Sequence, residues 1–140
     1  MDATFSHIKA VLCDIDGTLL SFKTHRIPAS AQQVLDSFHE QGIACVIATG
    51  RPTYQMPDWL FDLGWDAYIT LSGQHCFDAE GVYRSCPIDP DDVAVIVDQV
   101  AQGRYDSLCM QGENSFVNRL SDRVVTAGSN AGIVYHEEPF

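Results

Sequence analysis

Two short polar stretches hold residue types able to do chemistry: Asp14-Ile15-Asp16-Gly17-Thr18 and Thr49-Gly50-Arg51. Asp14 and Asp16 are alternate residues, so in extended backbone both carboxylates point to one side. Carboxylates this close repel, and the repulsion is answered by a cation or by a proton on one of them. A hard cation such as Mg2+, held by a few carboxylate or carbonyl oxygens plus water, suits the pair. An Asp carboxylate is also a nucleophile toward phosphorus, and a second acid beside it can protonate a leaving oxygen and later deprotonate water. Gly17 and Thr18 permit a tight turn whose backbone N–H groups face a phosphate. Thr49 offers a hydroxyl to a phosphoryl oxygen, while Arg51, Lys23 and Arg26 are the nearby bases. An Asp-x-Asp-Gly stretch also opens calcium loops. Here Leu19, Leu20 and Phe22 stand where such a loop needs oxygen donors.

Both stretches must be positioned, and each follows an apolar run. Ile8 to Cys13 reads IKAVLC and ends at Asp14; Ile43 to Ala48 reads IACVIA and ends at Thr49. Runs without alternation suit strands covered on both faces, as in a parallel sheet. Between them Val34, Leu35 and Phe38 mark a helix face, with a Ser30–Gln33 capping box at its start and Gly42 at its stop. Strand, helix and strand make a βαβ unit with parallel strands, which brings both polar tips to one sheet edge, where ligands of open α/β sheets bind. Downstream the sequence predicts a short helix with Trp59, Leu60 and Leu63 on its apolar face, and a third strand over 67–71. A hairpin turning at Asp78 to Gly81 follows, then a helix opened by Asp89-Pro90 with Val93, Ile96, Val97 and Val100 as its stripe. From Tyr105 to His136 the expectation is short strands (SLCMQ, SFVN, GIVYH) joined by polar turns.

Composition narrows the function classes. The chain has 140 residues, 46% of them hydrophobic and 19% charged, enough apolar content for a packed core. Acids outnumber bases 19 to 8, for a net charge of -11 and a pI near 4.5. That balance excludes the basic surface a nucleic-acid binder needs and disfavours an anionic membrane surface. No apolar run approaches a membrane span, and the acidic N-terminus is unlike a signal peptide, so a cytoplasmic location is expected. Five cysteines without any CxxC pair read as reduced thiols used as small core residues. The five histidines show no metal-ligand spacing and read as structural or exposed, with His25 as an exception.

VLCDIDGTLL followed by VIATGRP resembles the haloacid dehalogenase superfamily of Mg2+-dependent phosphatases, DIDGT matching its first motif and Thr49 in ATGR its second. YITLSGQHCFDAEGVYRSCPID is similar to the Cof-type subgroup, in which Ser72 is often Asn. The resemblance implies an α/β fold: a Rossmann-like core of parallel sheet over 1–84 and an inserted α+β cap, in part, over 85–140. It implies Asp14 as nucleophile and Mg2+ ligand, and Asp16 as general acid/base with its backbone carbonyl on the metal. It also implies Thr49, Gly50, Arg51, Gly17, Thr18, Ser72 and Gly73 at the phosphate or substrate. Lys9 and Lys23 are the lysines, both upstream of Thr49, and no acidic GD-type tip follows Arg51. The family's third and fourth motifs are therefore missing, which implies the N-terminal portion of a longer hydrolase. The implied activity is hydrolysis of a small phosphorylated metabolite, a sugar phosphate or flavin-related phosphate, through an aspartyl-phosphate. Phosphomutases and phosphotransferases share the Asp-x-Asp start. The alternative is a truncated, non-catalytic chain that binds phosphate or metal weakly or associates with another subunit; an unpaired sheet edge would favour a homo-oligomer.

Overall fold

The structure, a computed structural model, describes residues 7–21, 23–24, 26–111, 114–131 and 134–139. Phe22 and His25 lie outside the described residues. The chain divides into two compact units, residues 1–51 with 56–86 and residues 52–55 with 87–140.

The first unit is a five-stranded sheet with two short-looped helices. Its elements are β1 (Ala10–Cys13), α1 (Ala29–Glu40), β2 (Ala44–Ala48), α2 (Asp58–Phe61), β3 (Ala67–Thr70), β4 (His75–Asp78) and β5 (Val82–Ser85), and the strands lie in the order 1-2-3-4-5. β1, β2 and β3 are parallel, with Cys13 opposite Ile47 and Ala48 opposite Ile69. α1 is the crossover between the first two, as a βαβ unit requires. β4 and β5 extend the sheet as an antiparallel hairpin. Its turn is closed by the Asp78 side chain, whose Oδ1 accepts from the backbone N–H of Glu80 at 2.8 Å and of Gly81 at 3.2 Å, an Asx-type turn.

Ile15, Leu19, Leu20, Leu35, Cys45, Ile47, Met56, Leu60, Trp65 and Tyr68 form the core of this unit. Three of them (Ile15, Leu19, Leu20) belong to the loop after β1. The Asp14–Thr18 stretch is thus pinned by the buried Ile15 within it and by Leu19 and Leu20 just after it. Tyr68 stacks on Phe77 across the β3–β4 pair, ring centroids 4.9 Å apart, a cross-strand aromatic pair that fixes their register.

The second unit consists of α3 (Pro90–Ala101), β6 (Cys109–Gln111), β7 (Ser115–Val117), α4 (Asp122–Ala131) and β8 (His136–Glu137), with β6 antiparallel and β8 parallel to the central β7. Asp89 caps α3, its side chain accepting from Asp91 N at 2.9 Å, with Pro90 at the first helical position. Residues 52–55 join this unit through Tyr54, whose hydroxyl donates to Ser115 Oγ at 2.5 Å.

Several local expectations are corrected. α1 starts two residues earlier than the capping box placed it, at Ala29 after the N-cap Pro28, with no side-chain cap. Ser30 lies inside the first turn, because Pro28 fixes an extended backbone that itself starts the helix. Of its predicted face, Leu35 is buried while Val34 is 48% exposed. α2 buries Leu60 but leaves Trp59 exposed. β1 is not covered on both faces: it pairs on one side among the described residues, and Leu12 is 58% exposed. Residues 122–131 form a helix where short strands and turns were expected. Its start was encoded in Ser121, whose Oγ accepts from Val124 N at 3.4 Å, and in Asp122 in the first turn. All five cysteines are free thiols, yet Cys86 and Cys109 are exposed rather than core.

Candidate active site

Three strand ends build the site: the carboxyl ends of parallel β1, β2 and β3. Because Cys13 pairs with Ile47, Asp14 leaves β1 at the level of Ala48, the last residue of β2, and Thr49 follows immediately. After Asp14 the chain folds into a tight loop. Leu19 N donates to Asp14 O at 3.2 Å, Leu20 N to Ile15 O at 2.7 Å, and Gly17 N to Leu20 O at 2.9 Å. Gly17 sits at φ 79°, which glycine adopts without a Cβ penalty. Its N–H is used inside the loop and is therefore not free to face a phosphate, contrary to the sequence reading. Asp14, Asp16, Gly17 and Thr18 are all exposed.

Arg51 crosses to Asp16. Its Nε donates to Asp16 Oδ2 at 2.8 Å and its Nη2 to Asp16 Oδ1 at 2.6 Å, a two-pronged charge-assisted pair. The hydrogen bonding to Asp16 holds the Arg51 proton more firmly than usual; burial opposes this, and the charges of Asp16 and then Asp14 reinforce it. The charge of Asp14 acts on Arg51 in the same sense as that of Asp16. The Asp14 side chain has no hydrogen-bond partner among the described residues.

Thr49 is 5% exposed. Its Oγ1 accepts from Arg51 N at 3.1 Å, which leaves the hydroxyl proton for another acceptor. The Thr49–Arg51 tip is laced to the tip of β3: Thr49 N donates to Ile69 O, Ser72 N to Thr49 O and Leu71 N to Arg51 O, at 2.9, 3.1 and 3.1 Å. Gly50 lies against Ser72, whose Oγ would be 3.6 Å from a Cβ at position 50.

The turn at the end of β3 is strained. Leu71, Ser72 and Gly73 have φ of 50°, 55° and 93°, three consecutive residues in the left-handed region. The first two carry side chains, and each such residue costs about 1–2 kcal/mol. Backbone strain of this kind persists where surrounding structure over-determines it, and it gathers at functional sites. Here the restraint comes from the bonds to Thr49 and Arg51 and from Arg84, whose Nε donates to Gly73 O at 3.0 Å. Neither the strain nor the role of Arg84 was legible in the sequence. Arg84 lies on the far strand of the hairpin, and Ser-Gly signals a turn without signalling its hand.

The structure therefore brings Asp14, Asp16, Thr49, Gly50, Arg51, Ser72 and Gly73 to one edge of one sheet. Lys23 and Arg26 are exposed, and no ion pair involves them among the described residues. For a hard divalent cation the available donors are the Asp14 carboxylate and the backbone carbonyl of Asp16, both on exposed residues and neither hydrogen-bonded among the described residues. The Asp16 carboxylate is engaged by Arg51. Two protein oxygens with several waters fit the way Mg2+ is usually held.

Residues 11–136 match the family model of haloacid dehalogenase-like hydrolases. The chain is 31% identical over 138 residues to a Streptococcus pyogenes protein that carries the name of a bifunctional phosphatase/peptidyl-prolyl cis-trans isomerase; the match takes in 89% of this chain and 29% of that protein. Among solved structures, the phosphatase BT1666 of Bacteroides thetaiotaomicron superposes with a TM-score of 0.79 at 30% identity, over 95% of this chain and 50% of its own. The sugar phosphatase BT4131, of subclass IIB, gives a TM-score of 0.74 at 30% identity over 92% of this chain and 52% of its own. The chain thus spans about half the length of these structures and less than a third of the streptococcal protein.

Proposed function

The chain belongs to the haloacid dehalogenase-like hydrolases, and we propose that its converging strand tips serve the hydrolysis of a small phosphate monoester, a sugar phosphate or a compound of similar size. The observation that carries this reading is the meeting of Asp14, Asp16, Thr49 and Arg51 at the ends of two hydrogen-bonded parallel strands. Asp14, exposed and with no side-chain hydrogen bond among the described residues, is the nucleophile: its carboxylate oxygen bonds to phosphorus as the ester P–O bond breaks. Asp16 gives its proton to the departing oxygen. It then takes a proton from a water whose oxygen attacks the same phosphorus, releasing inorganic phosphate and restoring the Asp14 carboxylate. Thr49 Oγ donates to a phosphoryl oxygen, and the Thr18 N–H, which has no partner in the loop, does the same.

For Asp16 to carry a proton it must leave the Arg51 fork. A phosphoryl dianion competes for that fork with matching geometry, so substrate arrival transfers Arg51 from Asp16 to phosphate and frees Asp16 for proton transfer. Enzymes of this family generally use a divalent metal. In this chain Mg2+ would be held by the Asp14 carboxylate and the Asp16 carbonyl, where it supplies charge neutralisation as phosphate approaches two acids. By the resemblance of the sequence, residues 85–140 are assigned to part of a cap. The BT4131 name favours a phosphorylated sugar.

The test is hydrolysis of an aryl phosphate by the 140-residue chain with and without Mg2+, beside Asp14→Asn. Metal-dependent turnover that Asp14→Asn abolishes, at unchanged melting temperature, is the expected result. Turnover that survives Asp14→Asn refutes the assignment. So does a folded wild-type chain that neither turns over substrate nor binds Mg2+ in an Asp14-dependent way.

A further inference from the structure

A second constellation lies at the other end of the same sheet. His39 stands in the last turn of α1, Cys45 is the second residue of β2, and Asp66 directly precedes β3. Four residues of strand separate Cys45 from Thr49, about 13 Å at the usual rise, so this cluster is separate from the phosphate-facing tips. One ligand atom from each of the three side chains lies within 4.8 Å of the other two. We propose that His39, Cys45 and Asp66 bind one thiophilic divalent cation of the Zn2+ type.

The backbone holds two of the ligands in register before any ion arrives. Asp66 N donates to Cys45 O at 2.9 Å, and Cys45 N donates back to Asp66 Oδ2 at 2.7 Å. His39 Nε2 reaches the same Oδ2 at 3.3 Å, and the second Asp66 oxygen is without a partner among the described residues. Around a tetrahedral Zn2+, with bonds of about 2.0–2.3 Å, neighbouring donors sit roughly 3.3–3.8 Å apart. Closing from 4.8 Å to that spacing needs side-chain rotation of an ångström or so and no movement of the strands. His39 also lies at the carbonyl end of α1, the end of a helix that attracts cations.

The donor set decides which ion. Thiolate and imidazole beside one carboxylate suit Zn2+ or Co2+; Mg2+ takes oxygen ligands and is served at the opposite edge. It also decides against a nucleophilic cysteine. Cys45 is fully buried, and its thiol is pushed up by burial, then by Asp66 and Cys13, which suppresses the thiolate in the absence of metal. Access is from the other side, where the side chains of His39 and Asp66 are 35% and 49% exposed. On binding, Cys45 Sγ loses its proton to solvent and bonds the ion. His39 binds through the Nε2 lone pair with its ring proton on Nδ1, Asp66 binds through a carboxylate oxygen, and water completes the fourth position. One proton leaves per ion bound. The bound ion would tie the end of the crossover helix to two parallel strands. No short Cys/His spacing marks the site, because residues 39, 45 and 66 meet only through the βαβ fold.

The test is titration of the metal-free 140-residue chain with Zn2+ by calorimetry and with Co2+ by absorption. One Zn2+ per chain is expected, with a thiolate-to-cobalt charge-transfer band. His39→Gln, on the exposed helix end, should weaken Zn2+ at least about tenfold, and Cys45→Ala should remove the band. Cys86→Ser, Cys109→Ser and Asp14→Asn should change neither. Unaltered affinity in both His39→Gln and Cys45→Ala overturns the proposal. A Co2+ complex lacking the thiolate band, or no Zn2+ binding tighter than millimolar, overturns it equally, and folding of each variant is read from its melting transition.

Discussion

Arg51 is paired with Asp16 and feels the charge of Asp14, and a double-mutant cycle on Arg51→Met and Asp16→Ala measures what that arrangement is worth. The pair makes two short bonds, 2.8 and 2.6 Å, with side chains 25% and 40% exposed. Charge-assisted hydrogen bonds contribute about 1.5–3 kcal/mol when sheltered, whereas exposed ion pairs give about 0.2–1 kcal/mol after screening and side-chain ordering. Half-exposed and bidentate, this one belongs between the ranges, with a coupling of about 1 kcal/mol. The single variants should not be symmetrical. Asp16→Ala loses the pair but also relieves repulsion from Asp14, so its net cost should be near zero. Arg51→Met loses the pair and leaves both acids unneutralised, at a cost of about 1–2 kcal/mol.

Urea unfolding of the four proteins, with midpoints compared at equal slope, reads both numbers. Salt near 1 M, where the screening length falls to about 3 Å, should shrink the difference between the single variants. Mg2+ should shrink it further by answering the two acids that Arg51→Met exposes. A coupling indistinguishable from zero refutes the paired geometry. An Arg51→Met variant no less stable than Asp16→Ala refutes the claim that Arg51 serves both carboxylates.

Other perturbations probe the frame around the site. Gly73→Ala should cost about 1–2 kcal/mol from its φ of 93° alone, since the added Cβ would meet its nearest neighbour, Ile69 Cγ2, only at 4.0 Å; Ser72→Gly should gain about 0.5 kcal/mol in the same urea assay, the relief of strain exceeding the extra freedom of the unfolded chain. Leu60→Ala, at a fully buried position, should destabilise by about 2–5 kcal/mol, while Trp59→Ala next to it, 40% exposed, should cost under about 1 kcal/mol in thermal melts. Burial raises the thiols of Cys13 and Cys45 above 9.0. Their contribution is therefore complete below the unfolded pKa and is lost as pH climbs through the folded values, so the melting temperature should fall above about pH 9 and fall less in Cys45→Ala. A melting temperature that rises across that range contradicts the sign.

The placement of the candidate residues was legible in the sequence to the extent that they sat on strand ends. IKAVLC and IACVIA carry their polar tips in the next residues, and a right-handed crossover of one helix leaves parallel pairing as the way to bury both runs. Convergence of Asp14 with Thr49 follows from that register. What stayed hidden depends on contacts between segments distant in sequence. Arg51 reads as a generic base near phosphate; only the folded tip shows it bound to Asp16, 35 residues away. The left-handed turn at 71–73 is imposed by hydrogen bonds from two neighbouring segments, so no local preference could announce it. The helix at 122–131 was missed because Val124 and Val125 are adjacent rather than three or four apart. A short, exposed helix of that kind is marked by its cap instead of its stripe. The same principle accounts for His39, Cys45 and Asp66. Helix end, strand start and pre-strand loop share no spacing rule; α1 brings His39 to the start of β2, and the parallel pairing of β2 with β3 adds Asp66, at the end of the sheet opposite the polar tips.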